Sequence, residues 1–187
     1  MSDDRNPCRT AFANTILEEA RKDKHIFVVT TDSRGSVTLE NFAAELPGQS
    51  RTLLEGSDVT IISCGGIVFH ALEAGKQLKS EGINTKVIDM YSIKPIDSET
   101  IISAAMETGH ILTVEEHSIC GGLGSIFAEI VIRHCPVKMK ILGFPDENVI
   151  NAKPLEVFDY YGLTAKKLIS SAKALLTYNL FQFTVSR

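Results

Sequence analysis

The chain reads as an α/β protein, a three-layer sandwich around a mostly parallel open sheet with one antiparallel edge strand. Three observations predict this. Runs rich in β-branched residues, such as Val59-Thr-Ile-Ile62, Thr85-Lys-Val-Ile-Asp89 and Ile111-Leu-Thr-Val114, suit strands buried on both faces. Segments with apolar residues at helical spacing separate these runs. The connections are short, and parallel strands joined by helical crossovers require helices on both faces of the sheet.

Taken in order, residues 9–22 read as a helix with Phe12, Ile16 and Ala20 on one face. Ile26-Phe-Val-Val29 follows as a short strand, then a polar turn from Thr31 to Ser36 and a helix around Leu39–Leu46. Thr52-Leu-Leu54 supplies the antiparallel edge. After strand Val59–Ile62, Gly65-Gly66 turn the chain into a helix carrying Val68, Leu72, Ala74 and Leu78, which ends near Gly82. Strand Thr85–Asp89 leads to a helix over residues 98–107, for which Asp97 is a natural N-cap. Ile111–Val114 precedes a glycine loop and a helical pattern from Ile126 to Ile132. Val137–Leu142 is the next strand. Pro154 suits the first position of another helix, and Thr164 can cap a last one through Leu176. In the tail, residues 178–187, Phe181, Phe183 and Val185 alternate like a strand face, and the segment reads equally well as a disordered end.

Bulk properties narrow the function classes. With 187 residues, 44% hydrophobic and 22% charged, the chain suffices for one ordinary domain with a real core. A net charge of −4 without a Lys/Arg block argues against a nucleic-acid partner. No apolar run approaches bilayer length, so no membrane partner is expected. The N-terminus lacks the apolar core of a secretory signal, and four scattered cysteines without a C-x-x-C pair give no support to zinc. A cytoplasmic, reducing location fits these features.

The chemistry-bearing stretch is Thr113-Val-Glu-Glu-His-Ser-Ile-Cys-Gly-Gly-Leu-Gly-Ser125. Gly121, Gly122 and Gly124 free the backbone for φ > 0 and for close approach. Ser125 can cap the following helix. Free N–H groups at a helix start make an anion site from Gly121, Gly122, Leu123, Gly124 and Ser125, with His117 adding charge when protonated. The plainer alternative is that the glycines only let the chain turn tightly onto the sheet. Glu115 and Glu116 alternate faces along a strand, so they cannot both address one substrate.

Other groups weigh less. Gly65-Gly66 and Asp89 echo a dinucleotide-binding unit, but Ile67, Val68 and Phe69 stand where its third glycine belongs. Asp89 then reads as a loop or capping residue. His70 reads as a boundary histidine, His25, His110 and His134 as surface or capping residues, and Asp32 and Arg34 as a solvated turn.

Glu115-Glu-His-Ser-Ile-Cys-Gly-Gly-Leu-Gly-Ser125 resembles the C-terminal domain of the transketolase family, which includes 1-deoxyxylulose-5-phosphate synthases and the beta subunits of 2-oxoacid dehydrogenases. Leu54-Glu-Gly-Ser-Asp-Val-Thr-Ile-Ile62 and Val87-Ile-Asp-Met-Tyr-Ser-Ile-Lys-Pro-Ile-Asp97 agree with it in the same order. The resemblance implies three parts: residues 1–50 as a remnant of the pyrimidine-binding domain, residues 51–177 as the C-terminal domain, and residues 178–187 as a tail. After Leu46-Pro-Gly-Gln-Ser50 the chain passes directly to Arg51-Thr-Leu-Leu-Glu-Gly56, the lead-in to the C-terminal domain. The family's Gly-Ile-Ala-Glu-Gln type segment, whose Glu activates thiamine diphosphate, has no counterpart here. Nor has the Gly-Asp-Gly…Asn motif for the metal that holds the diphosphate. The expectation is a domain that is non-catalytic alone, serving dimerisation or regulatory small-ligand binding. It binds no cofactor by itself, and a homodimer is its expected form. The alternative is a subunit of a split transketolase that transfers ketol groups between sugar phosphates, with thiamine diphosphate and Mg supplied through a partner subunit. In such split enzymes the second chain keeps a complete pyrimidine-binding domain, which weighs against the alternative.

Overall fold

A computed structural model describes residues 8–23, 26, 28 and 50–177. The chain divides into two compact units, Met1–Gly48 and Gln49–Arg187. In the first unit, α1 spans Cys8–Lys22. Its Ala13, Leu17 and Ala20 are buried at helical spacing and pack with the partly buried Ile16, Ile26 and Val28. Ile26 and Val28 carry no strand assignment, and the rest of the strand expected over 26–29 lies outside the described residues. So do the turn at 31–36, with Asp32 and Arg34, the helix expected around 39–46, and the tail at 178–187.

The second unit follows the alternation in the sequence. β1 is Arg51–Leu54, β2 Val59–Ser63, β3 Thr85–Asp89, β4 His110–Ser118 and β5 Lys138–Phe144. A 3-10 turn at Gly65–Ile67 leads into α2, Val68–Ser80. Then come α3 at Ser98–Thr108, α4 at Leu123–His134, α5 at Pro154–Tyr160 and α6 at Ala165–Thr177. The sheet order is β1-β3-β2-β4-β5. All neighbours are parallel except β1 with β3, which pair antiparallel. This is the predicted mixed open sheet with one antiparallel edge.

Two apolar layers flank the sheet. On one face Ile67, Ala71, Ala74 and Leu78 meet Leu168, Ile169, Ala172 and Leu175 over Val59, Ile61, Val87 and Val114. On the other, Ile101, Ala104 and Ala105 join Leu123, Phe127 and Val131 over Ile62, Ile88 and Ile111. Burial on both sides explains why β2 is buried at all five positions. Gly75 lets α2 come close to β3, since a Cβ there would stand 2.4 Å from Val87 Cγ2. Asp97 caps α3 as expected, its Oδ1 accepting from the Thr100 N–H at 3.0 Å. Pro154 stands at the first position of α5. Thr164 precedes α6, where its carbonyl accepts from the N–H groups of Lys167 and Leu168.

Two boundaries around the glycine loop differ from the sequence reading, and β5 runs over Lys138–Phe144, two residues past the expected Leu142. β4 runs to Ser118, beyond the Val114 end suggested by its apolar run. Against β5 it steps from Val114↔Leu142 to Ser118↔Phe144, so three β4 residues face one β5 residue, Gly143. That glycine makes room: a Cβ there would stand 2.7 Å from the His117 carbonyl oxygen and 3.2 Å from Glu115 Cγ. The second difference is that α4 begins at Leu123, with Gly122 as its N-cap. Ser125 lies inside the first turn and is not the cap.

Candidate functional site

The carboxyl ends of β2 and β4 flank the point where the connections diverge to opposite sides of the sheet, the usual place for a ligand in open α/β folds. Glu115 and Glu116 stand there on successive positions of β4 and point to opposite faces. Buried Glu115 accepts from the N–H groups of Leu123 at 2.8 Å and Gly124 at 2.9 Å. Glu116, exposed, reaches the opposite layer and accepts from the Gly66 N–H at 2.8 Å. Each βα turn offers unpaired N–H groups at the positive end of a helix or turn, and each receives one of the chain's own carboxylates.

This geometry places every residue of the expected anion loop. The Leu123 and Gly124 donors are engaged by Glu115. The Gly121 N–H donates to Ser125 Oγ at 3.0 Å, and that hydroxyl donates to the Ile119 carbonyl at 3.0 Å. Ser125 therefore ties the loop to itself, and the cap expected of it comes from Glu115. His117 is exposed, with Nδ1 3.3 Å from the Ser118 carbonyl oxygen. The negative group that a helix start attracts is thus already present within the chain.

The three glycines differ in what they do. Gly121 has φ +76°, the left-handed region that favours glycine. Gly122 has φ −91° and needs space, not handedness: a Cβ would stand 2.1 Å from Glu115 Oε2. A Cβ on Gly124 would stand 2.4 Å from Ile141 Cγ2 and 2.8 Å from Thr113 Oγ1. Close approach therefore governs two of the three positions.

Around this centre the remaining polar groups are few. Burial, helped by the charges of Glu115, Asp89 and Glu116, pushes the Cys64 thiol up to about 11. Asp89 ends β3, and its Oδ1 is buried without a hydrogen-bond partner, as is Oγ of Ser63, its register partner on β2. Burial raises the Asp89 carboxyl above the usual range, opposed by Arg51. His70 stacks edge-on between Phe69 and Phe158, at 5.7 and 5.8 Å, as a boundary histidine would. Cys120 is exposed and its N–H donates to Ser118 Oγ.

Among the described residues, the turns at the carboxyl ends of β2 and β4 hold the chain's own carboxylates, which would repel the phosphates of a thiamine diphosphate group at those two turns. Among the described residues no group of three or more His, Cys, Asp or Glu is placed to hold a metal ion. No helix among them is long and apolar enough to cross a membrane. Sequence reasoning missed Ser63 and Gly143. The signal for Gly143 was a glycine inside a strand pattern, a mark of a bulge or close approach. For Ser63 there was none, because its isolation is visible only in three dimensions.

Comparison with known proteins agrees with this fold. A family profile of the transketolase C-terminal domain matches residues 48–168. An apulose-4-phosphate transketolase subunit of Phocaeicola vulgatus is 49% identical over 125 residues, 67% of this chain and 40% of that protein. A 6-deoxy-6-sulfo-D-fructose transketolase subunit, SqwH of Clostridium sp., is 37% identical over 67% of this chain and 39% of its own length. 1-Deoxy-D-xylulose-5-phosphate synthase of Heliobacterium modesticaldum is 41% identical over 74% of this chain but only 22% of its own length. Among solved structures, a split-gene transketolase described as an inactive beta4 tetramer superposes with a TM-score of 0.67 at 40% identity, covering 70% of this chain and 43% of that one. The chain thus spans about 40% or less of the length of these curated relatives. On the match over residues 48–168 and the mixed five-stranded sheet that accompanies it, the chain belongs to the transketolase family and carries its C-terminal domain.

Proposed function

We propose that this chain serves as the C-terminal module of a transketolase without ketol transfer of its own, acting in assembly or in binding a small regulatory ligand. The observation that carries the reading is the closure of both carboxyl-end turns by Glu115 and Glu116. With those turns closed, the centre of the sheet offers no seat for a diphosphate. The module works in the cytoplasm and associates as a homodimer, as domains with two-fold interfaces do. An external anion at Gly121–Ser125, aided by His117, belongs to this reading only as a competitor of the Glu115 carboxylate.

A second reading is favoured by the descriptions of two relatives as transketolase subunits and of a third as the product of a split gene. Here the chain is one subunit of a split, thiamine-diphosphate-dependent transketolase acting on sugar phosphates. A partner subunit supplies the cofactor and Mg. Calorimetric titration of the purified chain with thiamine diphosphate and Mg separates the possibilities. No saturable heat and no turnover of a ketose donor is the expected result. Saturable binding with turnover by the chain alone overturns both readings, and turnover only after a partner chain is added selects the second.

A further inference from the structure

Among the described helices α5 alone buries no residue, although Leu155, Val157, Phe158 and Tyr160 make most of it apolar or aromatic. Its rings belong to a larger group. Phe158 meets His70 edge-on at 5.8 Å, and His70 meets Phe69 at 5.7 Å. On the other side Tyr160 meets Tyr161 at 4.9 Å, and Tyr161 meets Phe144 at 5.3 Å. Three of the nine Phe and two of the four Tyr residues thus gather where α2 begins and β5 ends. The loop before α5 joins them, since the Ile150 N–H donates to the Tyr161 hydroxyl at 3.1 Å. The outer members face solvent: Phe69 is 63% exposed, Leu155 65%, Tyr160 69% and Val149 43%. A contiguous aromatic group left in water marks an interaction surface, whereas Met106 and Ile132, exposed singly on α3 and α4, need no explanation.

Size and charge select the occupant. Aromatic side chains cover roughly 150–250 Å² each, so these four residues, about half to two-thirds exposed, present on the order of 400 Å² of apolar surface. With the polar rim usual for interfaces, such a centre belongs to a face of about 700 Å², close to the ~800 Å² per partner of a stable dimer. The exposed charges beside it are of both signs, Lys76 and Lys153 against Glu73, Glu156 and Asp159. A rim of mixed sign selects no strongly acidic or basic partner. It suits a copy of itself, because a two-fold axis turns the positive part of one patch towards the negative part of the other.

We infer that the face centred on Phe69, Leu155 and Tyr160 is where two copies of this chain meet about a two-fold axis. This rests on the homodimer of the proposed function and names its interface.

The test is sedimentation of the full chain from 1 to 100 μM, with amide NMR over the same dilution. The wild-type should pass from monomer to dimer, with shifts gathered at residues 69–70 and 155–161. Leu155→Glu combined with Tyr160→Glu should weaken the dimer about a hundredfold, since it removes two central anchors and sets like charges together. Both side chains lie on the surface, so far-UV circular dichroism should stay that of the wild-type. Met106→Glu combined with Ile132→Glu, on the opposite layer, should leave the dimer intact. A wild-type monomer at 100 μM overturns the homodimer and this face together. A wild-type dimer that survives Leu155→Glu/Tyr160→Glu, or is broken by Met106→Glu/Ile132→Glu instead, overturns this face and leaves the homodimer standing. Shifts at 155–161 that appear only when a longer transketolase subunit is added overturn the second copy as the occupant.

Discussion

At the scale of single residues, Glu115 is the side chain with most to lose. Its two oxygens take two N–H groups of a helix start inside the protein, charge-assisted bonds worth more than neutral ones. Glu115→Ala leaves both donors buried and unpaired. The expected loss is about 3 kcal/mol, measured by chemical denaturation. The same variant exposes the helix start to solution anions, so phosphate should raise its melting temperature while leaving the wild-type unchanged. Glu116→Ala removes a single exposed bond and should cost less than about 1 kcal/mol. Cysteine reactivity gives a second check. With its pKa raised to about 11, Cys64 stays a neutral thiol at ordinary pH. Iodoacetamide at pH 8 should label the exposed Cys8 and Cys120, and Cys64 only as the pH is brought towards 11.

At the scale of elements, the two clashing glycines of the β4–α4 connection predict different outcomes from the left-handed one. Gly124→Ala drives a methyl into Ile141 and Thr113 and should cost about 2 kcal/mol, seen as a melting temperature lower by roughly 4–8 °C. Gly121→Ala meets nothing within 4 Å and should cost only the left-handed backbone, about 1 kcal/mol. The sequence made β3 and the Asp97 cap readable, since both rest on local pattern: a β-branched run, and a carboxylate three residues before the N–H it receives. It could not show that the cap of α4 comes from Glu115, eight residues before Leu123, because that contact depends on how strand and helix meet. For the same reason Ser125, a good local cap by type, turned out to bond the loop. The carboxyl end of β4 was read short because polar Glu115, Glu116 and His117 resemble a turn, whereas two of them find backbone donors in neighbouring elements.

At the scale of the whole chain, the two units differ in how much they bury. The described core of the first is a single patch of Ala13, Leu17 and Ala20, while the second has apolar layers on both faces of a sheet. Amides of α1 should therefore exchange with deuterium well before those of β2. Light scattering at tens of micromolar should give twice the mass of one chain, and a strict monomer would count against assembly as its role. The adjacent carboxylates of β4 have a consequence for unfolding. They clasp opposite helical layers from successive positions of one strand, so sliding β4 by one residue would turn each towards the wrong layer and unfasten both at once. Both sets of bonds therefore depend on the same register of β4. The second unit should accordingly melt in one step, with its calorimetric and van't Hoff enthalpies equal, whereas Glu115→Ala should broaden the transition as its layers come to open separately.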